Sequence, residues 1–328
     1  MTVLVVGGAG YIGSHMVRCL RDRAMRCAVL DNFSTGYRDA IAGADSLTEG
    51  SLASEAHVAR ACRQGVSAAM HFASFIQVGE SVTQPGKYYA NNVAATIALL
   101  NALVANGVRR FIFSSSGAVY GEPRQPLVPE SHETQPHNPY GRTKLMVEQM
   151  LPDYERAHGL KWVALRYFNA AGAQPDATIG ERHDPETHLI PLALRAVNGR
   201  LDHLTVYGSD YPTADGTCVR DYVHVCDLAD AHLLAVTYLE KGGESRAFNL
   251  GNGDGFSVKQ VIDSVERVTG RKVPLKHGAR RAGDPAVLVA DAGAAKSILG
   301  WRPRYADLDT IVAHAWAWER KLATMAKP

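Results

Sequence analysis

The stretch Thr2-Val3-Leu4-Val5-Val6-Gly7-Gly8-Ala9-Gly10-Tyr11-Ile12-Gly13 decides the fold of this 328-residue chain, because an apolar run passes directly into a glycine-rich turn. The apolar run predicts a buried strand, and residues 14–23 predict a helix after the turn. The spacing Gly8-x-Gly10-x-x-Gly13 fits the dinucleotide fingerprint, and Gly7-x-x-Gly10-x-x-Gly13 fits a wider variant of it. Such glycines permit the tight turn and let backbone approach a pyrophosphate, while the helix N-terminus offers N–H groups to the phosphates.

A second apolar run, Cys27-Ala28-Val29-Leu30, ends at the acidic residue Asp31. A carboxylate at this position accepts hydrogen bonds from the adenine-ribose hydroxyls and repels a 2′-phosphate. No arginine follows before Arg38. The sequence therefore favours NAD over NADP as the cofactor.

Tyr140 and Lys144 stand four residues apart at the start of a predicted helix. Residues at i and i+4 share one helix face, so the phenol and the ammonium can meet in one pocket. A free phenol has a pKa of about 10, and a nearby cation lowers that pKa. An isolated pair of this kind also fits a solvated tyrosine beside a surface lysine. With the glycine-rich turn on the same chain, we interpret the pair as a general base that works near neutral pH.

The apolar strand Phe111-Ile112-Phe113 ends in the serine run Ser114-Ser115-Ser116. The carboxyl edge of a parallel sheet is where open α/β folds bind their ligands. Serines at a strand end also serve as turn residues. Because the run lies about one helix upstream of Tyr140 and Lys144, we interpret it as a hydroxyl relay between a substrate and the phenol.

The composition is that of an ordinary globular enzyme, with 46% hydrophobic and 21% charged residues. A net charge of +2 gives no reason to expect a nucleic-acid partner, and no apolar run of about 18 residues indicates a membrane span. The five cysteines are odd in number and dispersed, as expected for buried thiols in a reducing cytoplasm. Cys218, His224 and Cys226 match no familiar zinc spacing, so no metal ion is expected.

Alternating strand and helix segments predict an α/β fold with a doubly wound, Rossmann-type parallel sheet. The strand candidates are 2–6, 26–30, 67–71, 110–115, 161–166 and 221–225, and the helical segments between them include 12–23, 54–64, 88–106 and 140–158. Shorter segments follow, at 187–198, 204–207, 257–269, 272–275 and 307–323. We therefore expect an NAD-binding domain over 1–169, to which 219–250 returns, and a smaller C-terminal α/β substrate domain over 170–328.

Motifs along almost the whole chain carry a family resemblance. The glycine-rich turn, the serine run and Tyr140-x-x-x-Lys144 together resemble the extended short-chain dehydrogenase/reductase superfamily. The finer resemblance is to the UDP-glucose (UDP-galactose) 4-epimerases. It rests on strings from both halves of the chain, among them His71-Phe72-Ala73, Ser114 to Gly121, Leu165-Arg166-Tyr167-Phe168-Asn169, Thr187-His188-Leu189-Ile190-Pro191, Arg220 to Val225 and Arg280-Arg281-x-Gly283-Asp284.

The resemblance implies reversible inversion at C4 of a UDP-hexose, through a transient 4-ketosugar and with tightly bound NAD. It gives Tyr140 the exchange of the O4 proton and Ser116 a hydrogen bond to O4. Lys144 would bind the nicotinamide ribose and, with the positive nicotinamide, lower the Tyr140 pKa. The resemblance also implies a homodimer through segments 88–106 and 140–158. The residues expected at that contact are Ala94, Ala95, Ala98, Leu99, Ala102, Leu103, Met146, Met150 and Tyr154.

The binding residues are carried over motif by motif. The cofactor set is Gly7, Gly10, Tyr11, Ile12, Gly13, Asp31, Asn32, Phe33, Ser34, Thr35, Gly36, Ser51, Leu52, Phe72, Ala73, Ser74, Phe75, Ile76, Asn91, Ser116, Tyr140, Lys144 and Phe168. The substrate set is Ser116, Tyr140, Asn169, His188, Leu189, Thr205, Val206, Tyr207, Arg220, Arg281, Asp284 and Leu288. Ser51 replaces an aspartate common in the family, and Ile76 replaces a lysine of some members. For Arg220, an ion pair with Asp221 or Asp227 is the other interpretation.

Related sugar-nucleotide activities require residues that differ in part from those of this chain. A sugar-nucleotide 4,6-dehydratase needs an acidic pair after the strand-end hydroxyl, whereas Gly117 and Ala118 follow Ser116. A UDP-glucuronate decarboxylase gives no reason for the serine run, and a non-catalytic dinucleotide sensor would be expected to lose Tyr140 or Lys144. Epimerases of UDP-N-acetylglucosamine or of UDP-xylose and UDP-arabinose use the same residues. Leu288, of intermediate volume, stands near the position that sets this choice in the family.

Overall fold

The computed structural model describes residues 1–63, 65–281 and 284–325, so that Gly283 of the C-terminal motif lies outside the described residues. Its strands are β1 (Thr2–Val6), β2 (Arg26–Asp31), β3 (Ser46–Glu49), β4 (Val66–His71), β5 (Arg110–Ser114), β6 (Leu127–Val128), β7 (Lys161–Tyr167), β8 (Asn169–Ala171), β9 (Leu204–Tyr207), β10 (Val219–Arg220), β11 (Tyr222–His224), β12 (Arg246–Leu250), β13 (Phe256–Ser257), β14 (Leu275–Gly278) and β15 (Val287–Ala290).

Ten α-helices accompany these strands in the described residues. They are α1 (Tyr11–Asp22), α2 (Glu55–Cys62), α3 (Val78–Thr83), α4 (Pro85–Tyr88), α5 (Ala95–Ala105), α6 (Pro139–His158), α7 (Leu189–Val197), α8 (Val225–Glu240), α9 (Val258–Thr269) and α10 (Leu308–Thr324). Short 3-10 turns lie at Arg38–Ile41 and Gly117–Tyr120, and π-helical turns at Tyr89–Ala94 and Ala295–Leu299. None of these described helices is both long and apolar enough to cross a bilayer.

Seven strands form one sheet in the order β12-β7-β5-β4-β1-β2-β3. All neighbouring pairs are parallel. The chain builds β2 and β3 on one side of β1, then crosses to build β4, β5, β7 and β12 on the other. This reversal of strand order beside β1 confirms the doubly wound fold, and ligands of such folds bind at the carboxyl ends of the strands beside it.

The central strand shows why the first apolar run is continuous. Side chains alternate between the two faces of a strand, so that Val3 and Val5 join one core and Leu4 and Val6 join the other. Helices α1 and α8 pack on the first face, and α2, α5 and α6 cover the second. A parallel sheet buried on both faces needs apolar residues at every position, which the sequence of β1 provides.

Two strands of the seven-stranded sheet are absent from the predicted strands, and one predicted strand belongs to another sheet. β3 is an edge strand, and its Leu47 is 41% exposed, so it lacks an apolar run. β12 extends the other edge by pairing with β7. The candidate 221–225 forms β11, which pairs with β8 in a separate two-stranded sheet.

The C-terminal part of the chain has a core of its own. Helices α7, α9 and α10 pack on one another, and their core includes Ile190, Leu194, Val261 and Ile311. Beside it lie a four-stranded sheet in the order β13-β10-β15-β6 and the pair β14-β9. These elements carry six of the predicted substrate residues, namely Leu189, Thr205, Val206, Tyr207, Arg220 and Leu288.

Helix α5 turns most of its expected partner-binding residues toward the sheet. Because one stripe of the helix must cover the sheet, four of the expected residues are buried in the core, namely Ala95, Leu99, Ala102 and Leu103. Ala94 is exposed and Ala98 is half-buried. Ile97 of α5 is 37% exposed, and Met146 of α6 is 42% exposed.

Candidate active site

The glycine-rich turn between β1 and α1 is closely packed. Gly7 has a φ of 80°, in the left-handed region that favours glycine. A Cβ on Gly13 would stand 2.1 Å from the carbonyl oxygen of Gly7, so the helix can approach the turn only with glycine there. Gly10 is the N-cap of α1, and no side chain of the described residues caps it. The first N–H groups of α1 can therefore hold a diphosphate.

Asp31 closes the turn at the end of β2. Its Oδ2 accepts the N–H of Ala9 at 2.8 Å, and its Oδ1 accepts the N–H of Phe33 at 2.7 Å. A carboxylate offers about four acceptor sites, so both oxygens retain one for a ribose hydroxyl. Phe33 has a φ of 55°, which bends residues 32–36 around the glycine turn. Tyr37 continues this segment and donates its N–H to the carbonyl oxygen of Ala9.

Residues 72–76 leave the end of β4 beside the glycine turn. Phe72 donates its N–H to the carbonyl oxygen of Val6 at 2.8 Å. Phe75 is held at both backbone groups by the amide of Asn92, at 2.9 Å and 3.0 Å, and Asn91 reaches the carbonyl oxygen of Ala73 at 3.5 Å. Asn92 is a positioning residue that the sequence reasoning missed, although it adjoins the predicted Asn91.

The predicted adenine contacts follow the edge strand β3. The hydroxyl of Ser51 accepts the N–H of Ala53 at 3.1 Å and retains a second acceptor site. Leu52 is 6% exposed and packs in the core beneath. Ser51 therefore has an acceptor site available for a ligand, whereas the side chain of Leu52 belongs to the core.

Helix α6 positions Tyr140 and Lys144 at its first turns. The helix begins at Pro139, and the side chain of Asn138 caps it by accepting the N–H of Gly141 at 2.9 Å. Lys144 is 2% exposed. Its ammonium lies 5.8 Å from the centre of the Tyr140 ring and donates to the carbonyl oxygen of Ser114 at 2.7 Å and to the hydroxyl of Ser74 at 3.0 Å. An ammonium has three donors, so one remains for a ribose hydroxyl.

The electrostatics of this pair differ from the expectation. Burial raises the pKa of Tyr140, and a hydrogen bond with Ser116 offsets part of that rise. Burial lowers the pKa of Lys144 to about 7, against the opposing effect of Glu148. Among the described residues, Ser116 is the group that lowers the Tyr140 pKa, and Lys144, which is expected to lower it, adds no such effect. A positive nicotinamide bound beside the phenol would lower that pKa further.

The three serines at the end of β5 make different contacts. Ser114 hydrogen-bonds the hydroxyl of Tyr167, and Ser115 donates to Glu148. Ser116 accepts the N–H of Ala118 at 3.1 Å and contacts the phenol of Tyr140. Of the run, Ser116 is therefore the one whose hydroxyl faces the proposed base.

A buried polar network behind the serines was missed by the sequence reasoning. Arg166 donates through Nε to Glu148 Oε1 at 3.0 Å and through a terminal nitrogen to the hydroxyl of Tyr120 at 2.9 Å. The Tyr120 hydroxyl in turn donates to Asn249 at 2.7 Å. Glu148 follows Lys144 by four residues, so helix periodicity could have placed it on the same face. The network fixes the serine strand against α6.

Arg220 forms an ion pair with Asp284, so the alternative of a pair with Asp221 or Asp227 is wrong. Asp221 instead accepts backbone N–H groups, including that of Asn252 at 2.8 Å. Asp227 accepts two others, from Arg304 and Tyr305, each at 2.9 Å. Both carboxylates are used to tie loops together, whereas Arg220 and Asp284, two predicted substrate residues, lie side by side.

The other predicted substrate residues differ in whether their side chains are free to contact a ligand. Asn169 donates to the carbonyl oxygen of Asp221 at 2.8 Å, which joins β8 to β11. On β9, Val206 is 3% exposed and packs in the C-terminal core, so only its backbone is available. Tyr207 on the same strand is exposed, and the guanidinium of Arg281 lies 4.2 Å from its ring centre.

Phe168 and Leu288 each pack against a cluster that contains Val119 and Tyr120, in the turn that follows Ser116. A Cβ on Gly117 would stand 2.6 Å from the Phe168 ring, so that ring lies directly on the turn backbone. Leu288 pairs with Arg220 across neighbouring strands. The cluster thus connects the predicted substrate residues of β10 and β15 with the serine run.

His188 is the N-cap of α7, directly before Leu189. Its Nδ1 lies 2.8 Å from Glu181 and 2.9 Å from Glu186. The predicted role of its side chain at the substrate is therefore limited to the other ring nitrogen, and the backbone at Leu189 lies at the start of the helix.

Comparisons with known proteins identify the family of this chain. The model of the NAD dependent epimerase/dehydratase family matches residues 3–251. A UDP-glucose 4-epimerase of Rhizobium leguminosarum bv. trifolii is 50% identical over 321 residues, which cover 98% of each chain.

Solved structures agree as well. A UDP-glucose 4-epimerase of Brucella ovis in complex with NAD superposes with a TM-score of 0.94 at 49% identity, covering 96% of this chain and 98% of that one. A UDP-glucose 4-epimerase of Stenotrophomonas maltophila with bound NAD and formylated UDP-arabinopyranose gives a TM-score of 0.95 at 39% identity, covering 98% and 99%. The chain belongs to the NAD dependent epimerase/dehydratase family.

Proposed function

We propose that this protein inverts C4 of a UDP-hexose and so interconverts UDP-galactose and UDP-glucose. The observation that carries the proposal is the meeting of Tyr140, Ser116 and Lys144 at the carboxyl edge of the parallel sheet. The closely similar relatives are UDP-glucose 4-epimerases.

The residues beside β1 fit NAD. The start of α1 can hold the diphosphate, the spare acceptor sites of Asp31 suit the adenine ribose, and the third donor of Lys144 suits the nicotinamide ribose. Asp31 is 8% exposed, so an added 2′-phosphate would meet a buried carboxylate rather than water. When bound, NAD supplies the acceptor and then the donor of the C4 hydride.

Tyr140 moves the proton in both directions. Its phenolate takes the proton of the sugar O4 as the C4–H bond breaks, and the phenol returns it to O4 as the C4–H bond forms again. The hydroxyl of Ser116 contacts the phenol and holds O4 in line with it. Lys144, which is anchored at Ser74 and Ser114, would hold the nicotinamide ribose with its third donor.

Inversion requires that the 4-ketosugar present its other face before the hydride returns. Rotation about the diphosphate linkage achieves this while the nucleotide stays in place. We assign the hold on the nucleotide to the neighbouring side chains of Arg220, Asp284 and Arg281, with backbone contributions at Leu189 and Val206. Because one trapped ligand undergoes both half-reactions, no free ketone needs to leave the site.

The sugar substituents are set by the wall that Leu288 provides beside Phe168. A turnover panel with UDP-galactose, UDP-N-acetylgalactosamine and UDP-xylose tests the assignment, and UDP-galactose should react fastest. A Leu288→Tyr variant should reduce any reaction of the N-acetylated sugar while keeping that of UDP-galactose. Preferred turnover of UDP-N-acetylgalactosamine or UDP-xylose by the unaltered protein would contradict the proposed substrate.

The proposal includes a homodimer in the cytoplasm. The outer surface of α5 and α6 exposes Ile97 and Met146 beside Ala94 and Ala98, which is an apolar patch on two adjacent helices. All five cysteines are free and buried, as suits a reducing compartment. Light scattering at micromolar concentration should give the mass of a dimer, and Ala98→Glu should give that of a monomer. A monomeric mass for the unaltered protein would refute the contact.

A further inference from the structure

The loop between β8 and α7 brings together four side chains with metal-ligating atoms. Glu181, His183, Glu186 and His188 each contribute one such atom, and the four atoms lie within 4.8 Å of one another. The proposed epimerase reaction uses none of these four side chains as an acid, a base or a cofactor contact, although His188 also belongs to the predicted substrate set. No metal ion is expected from the sequence, in which Cys218, His224 and Cys226 match no zinc spacing and His188 is interpreted as a hydrogen-bonded residue of the site wall rather than a ligand.

The distances in the cluster are those of a small coordination site. Glu181 Oε1 lies 3.0 Å from His183 Nδ1 and 2.8 Å from His188 Nδ1. Glu186 Oε1 lies 2.9 Å from His188 Nδ1 and 3.9 Å from His183 Nδ1. A tetrahedral ion with metal–ligand bonds of about 2.0–2.1 Å sets its ligands about 3.3–3.4 Å apart. The observed distances bracket that value, so shifts of a few tenths of an ångström would complete the site.

One carboxylate oxygen of the cluster has no hydrogen-bond partner in the described part of the chain. The side chains of Glu181 and Glu186 are 6% and 1% exposed. Glu181 pairs with His183 and His188. Glu186 Oε1 accepts the N–H groups of Thr187 and His188. Glu186 Oε2 is buried with no hydrogen-bond partner among the described residues, and Arg195 is 3.8 Å from it. A buried carboxylate with an unpaired oxygen is costly, and a divalent ion bound among the four atoms would offset that cost.

We propose that Glu181, His183, Glu186 and His188 bind one divalent transition-metal ion of the Zn²⁺ class. Two imidazole nitrogens select against Mg²⁺ and Ca²⁺, which prefer oxygen ligands. Four protein ligands close the coordination sphere, as in structural zinc sites rather than catalytic ones. Binding requires neutral imidazoles, so the ion displaces the proton that His188 otherwise holds between the carboxylates, and that proton passes to solvent.

The ion would fasten a segment that connects three parts of the fold. Trp318 of α10 donates its indole N–H to the carbonyl oxygen of Glu181 at 2.8 Å. The ring of Tyr11, from the glycine-rich turn, lies edge-on to His183 with 6.1 Å between ring centres. His188 caps α7. The metal therefore has a structural role, in stabilising the loop that joins the cofactor turn to the C-terminal helices.

The test uses untagged full-length protein that has been dialysed against a chelator and then against metal-free buffer. Titration with Zn²⁺, followed by calorimetry and by elemental analysis after desalting, should give about one ion per chain with release of protons. Titration with Co²⁺ should give the strong visible absorption of a tetrahedral site. Zn²⁺ should also raise the Tm of the stripped protein, because an ion that binds only the folded state stabilises it.

His183→Asn and Glu181→Gln remove one ligand each. Loss of groups that merely support metal ligands already weakens binding roughly 10–100-fold, so each variant should bind Zn²⁺ at least roughly tenfold more weakly and lose the Tm shift. His158→Asn, at the exposed end of α6, is the matched control and should bind as the unaltered protein does.

Absence of stoichiometric Zn²⁺ or Co²⁺ binding to the unaltered protein would overturn the proposal, whatever the variants do. Equal binding by His183→Asn and His158→Asn would overturn the ligand assignment, and preferred binding of Mg²⁺ or Ca²⁺ would overturn the metal class. Epimerase activity is not part of the readout, so this outcome is independent of the proposed function.

Discussion

Replacing Tyr140 with phenylalanine removes one hydroxyl and should separate catalysis from structure. The phenol of Tyr140 contacts Ser116 in a partly buried site. The lost hydrogen bond contributes about 0.5–1.5 kcal/mol to stability, so the fold and bound NAD should persist. A positioned acid–base group contributes a factor of ~10²–10⁴ to the rate, which corresponds to about 2.7–5.5 kcal/mol of barrier. The loss of transition-state stabilisation should therefore exceed the loss of folding stability.

The assay compares Tyr140→Phe with Tyr154→Phe, which makes the same chemical change on the same helix. The Tyr154 hydroxyl donates to Asn101 at 2.7 Å, away from the serine run. For each variant, kcat for UDP-galactose, Tm and the NAD content of the denatured protein are measured. Tyr154→Phe should retain turnover. Near-normal kcat in Tyr140→Phe, or a loss of turnover that merely follows a loss of NAD, would refute the assignment of the base.

Three further changes test the supporting structure. Glu148→Gln leaves the buried Arg166 without its charged partner and should lower the free energy of unfolding by about 3–5 kcal/mol in a denaturant titration. Glu155→Gln, in a surface pair with Lys161, is the control and should cost no more than about 1 kcal/mol. Equal effects would contradict the role of the network. Gly10→Ala, whose Cβ would stand 3.5 Å from the nearest described atom, should keep the Tm of the NAD-free protein but weaken NAD binding, and unchanged NAD affinity would refute the diphosphate site at α1. The third change is Lys144→Met, measured in NAD-free protein. The free energy of unfolding of the unaltered chain, relative to that of Lys144→Met, should rise between a pH of about 7 and about 10.4, because the unfolded chain keeps the Lys144 proton over that window. A flat difference would show that burial does not lower this pKa.

The sequence was sufficient for the large sheet wherever a strand is buried on both faces. The apolar runs of β1, β2 and β5 are continuous because both of their faces meet helices. It failed at β3, whose exposed Leu47 gives the pattern of an edge strand, and at β11, where three apolar or aromatic residues resemble a central strand but pair with β8. Which strands become neighbours depends on long-range packing, which a local pattern does not contain.

At the candidate site, motif spacing identified Tyr140, Ser116 and Lys144 but not their electrostatics. The low pKa of Lys144 results from burial by elements distant in sequence. The inward orientation of Val206 depends on how β9 packs on the C-terminal helices. The cluster at Glu181 and His188 was missed for another reason, since acidic and imidazole groups alternate there without a familiar metal-binding spacing.

The most direct test of the central claim is to incubate the purified protein with UDP-galactose and no added NAD, and to identify the products by chromatography against standards. The proposed function predicts UDP-glucose at an equilibrium ratio that is the same when the reaction starts from UDP-glucose, together with NAD released on denaturation. A 4-keto-6-deoxy sugar nucleotide, no conversion by protein that contains NAD, or strict dependence on added NADP would contradict it.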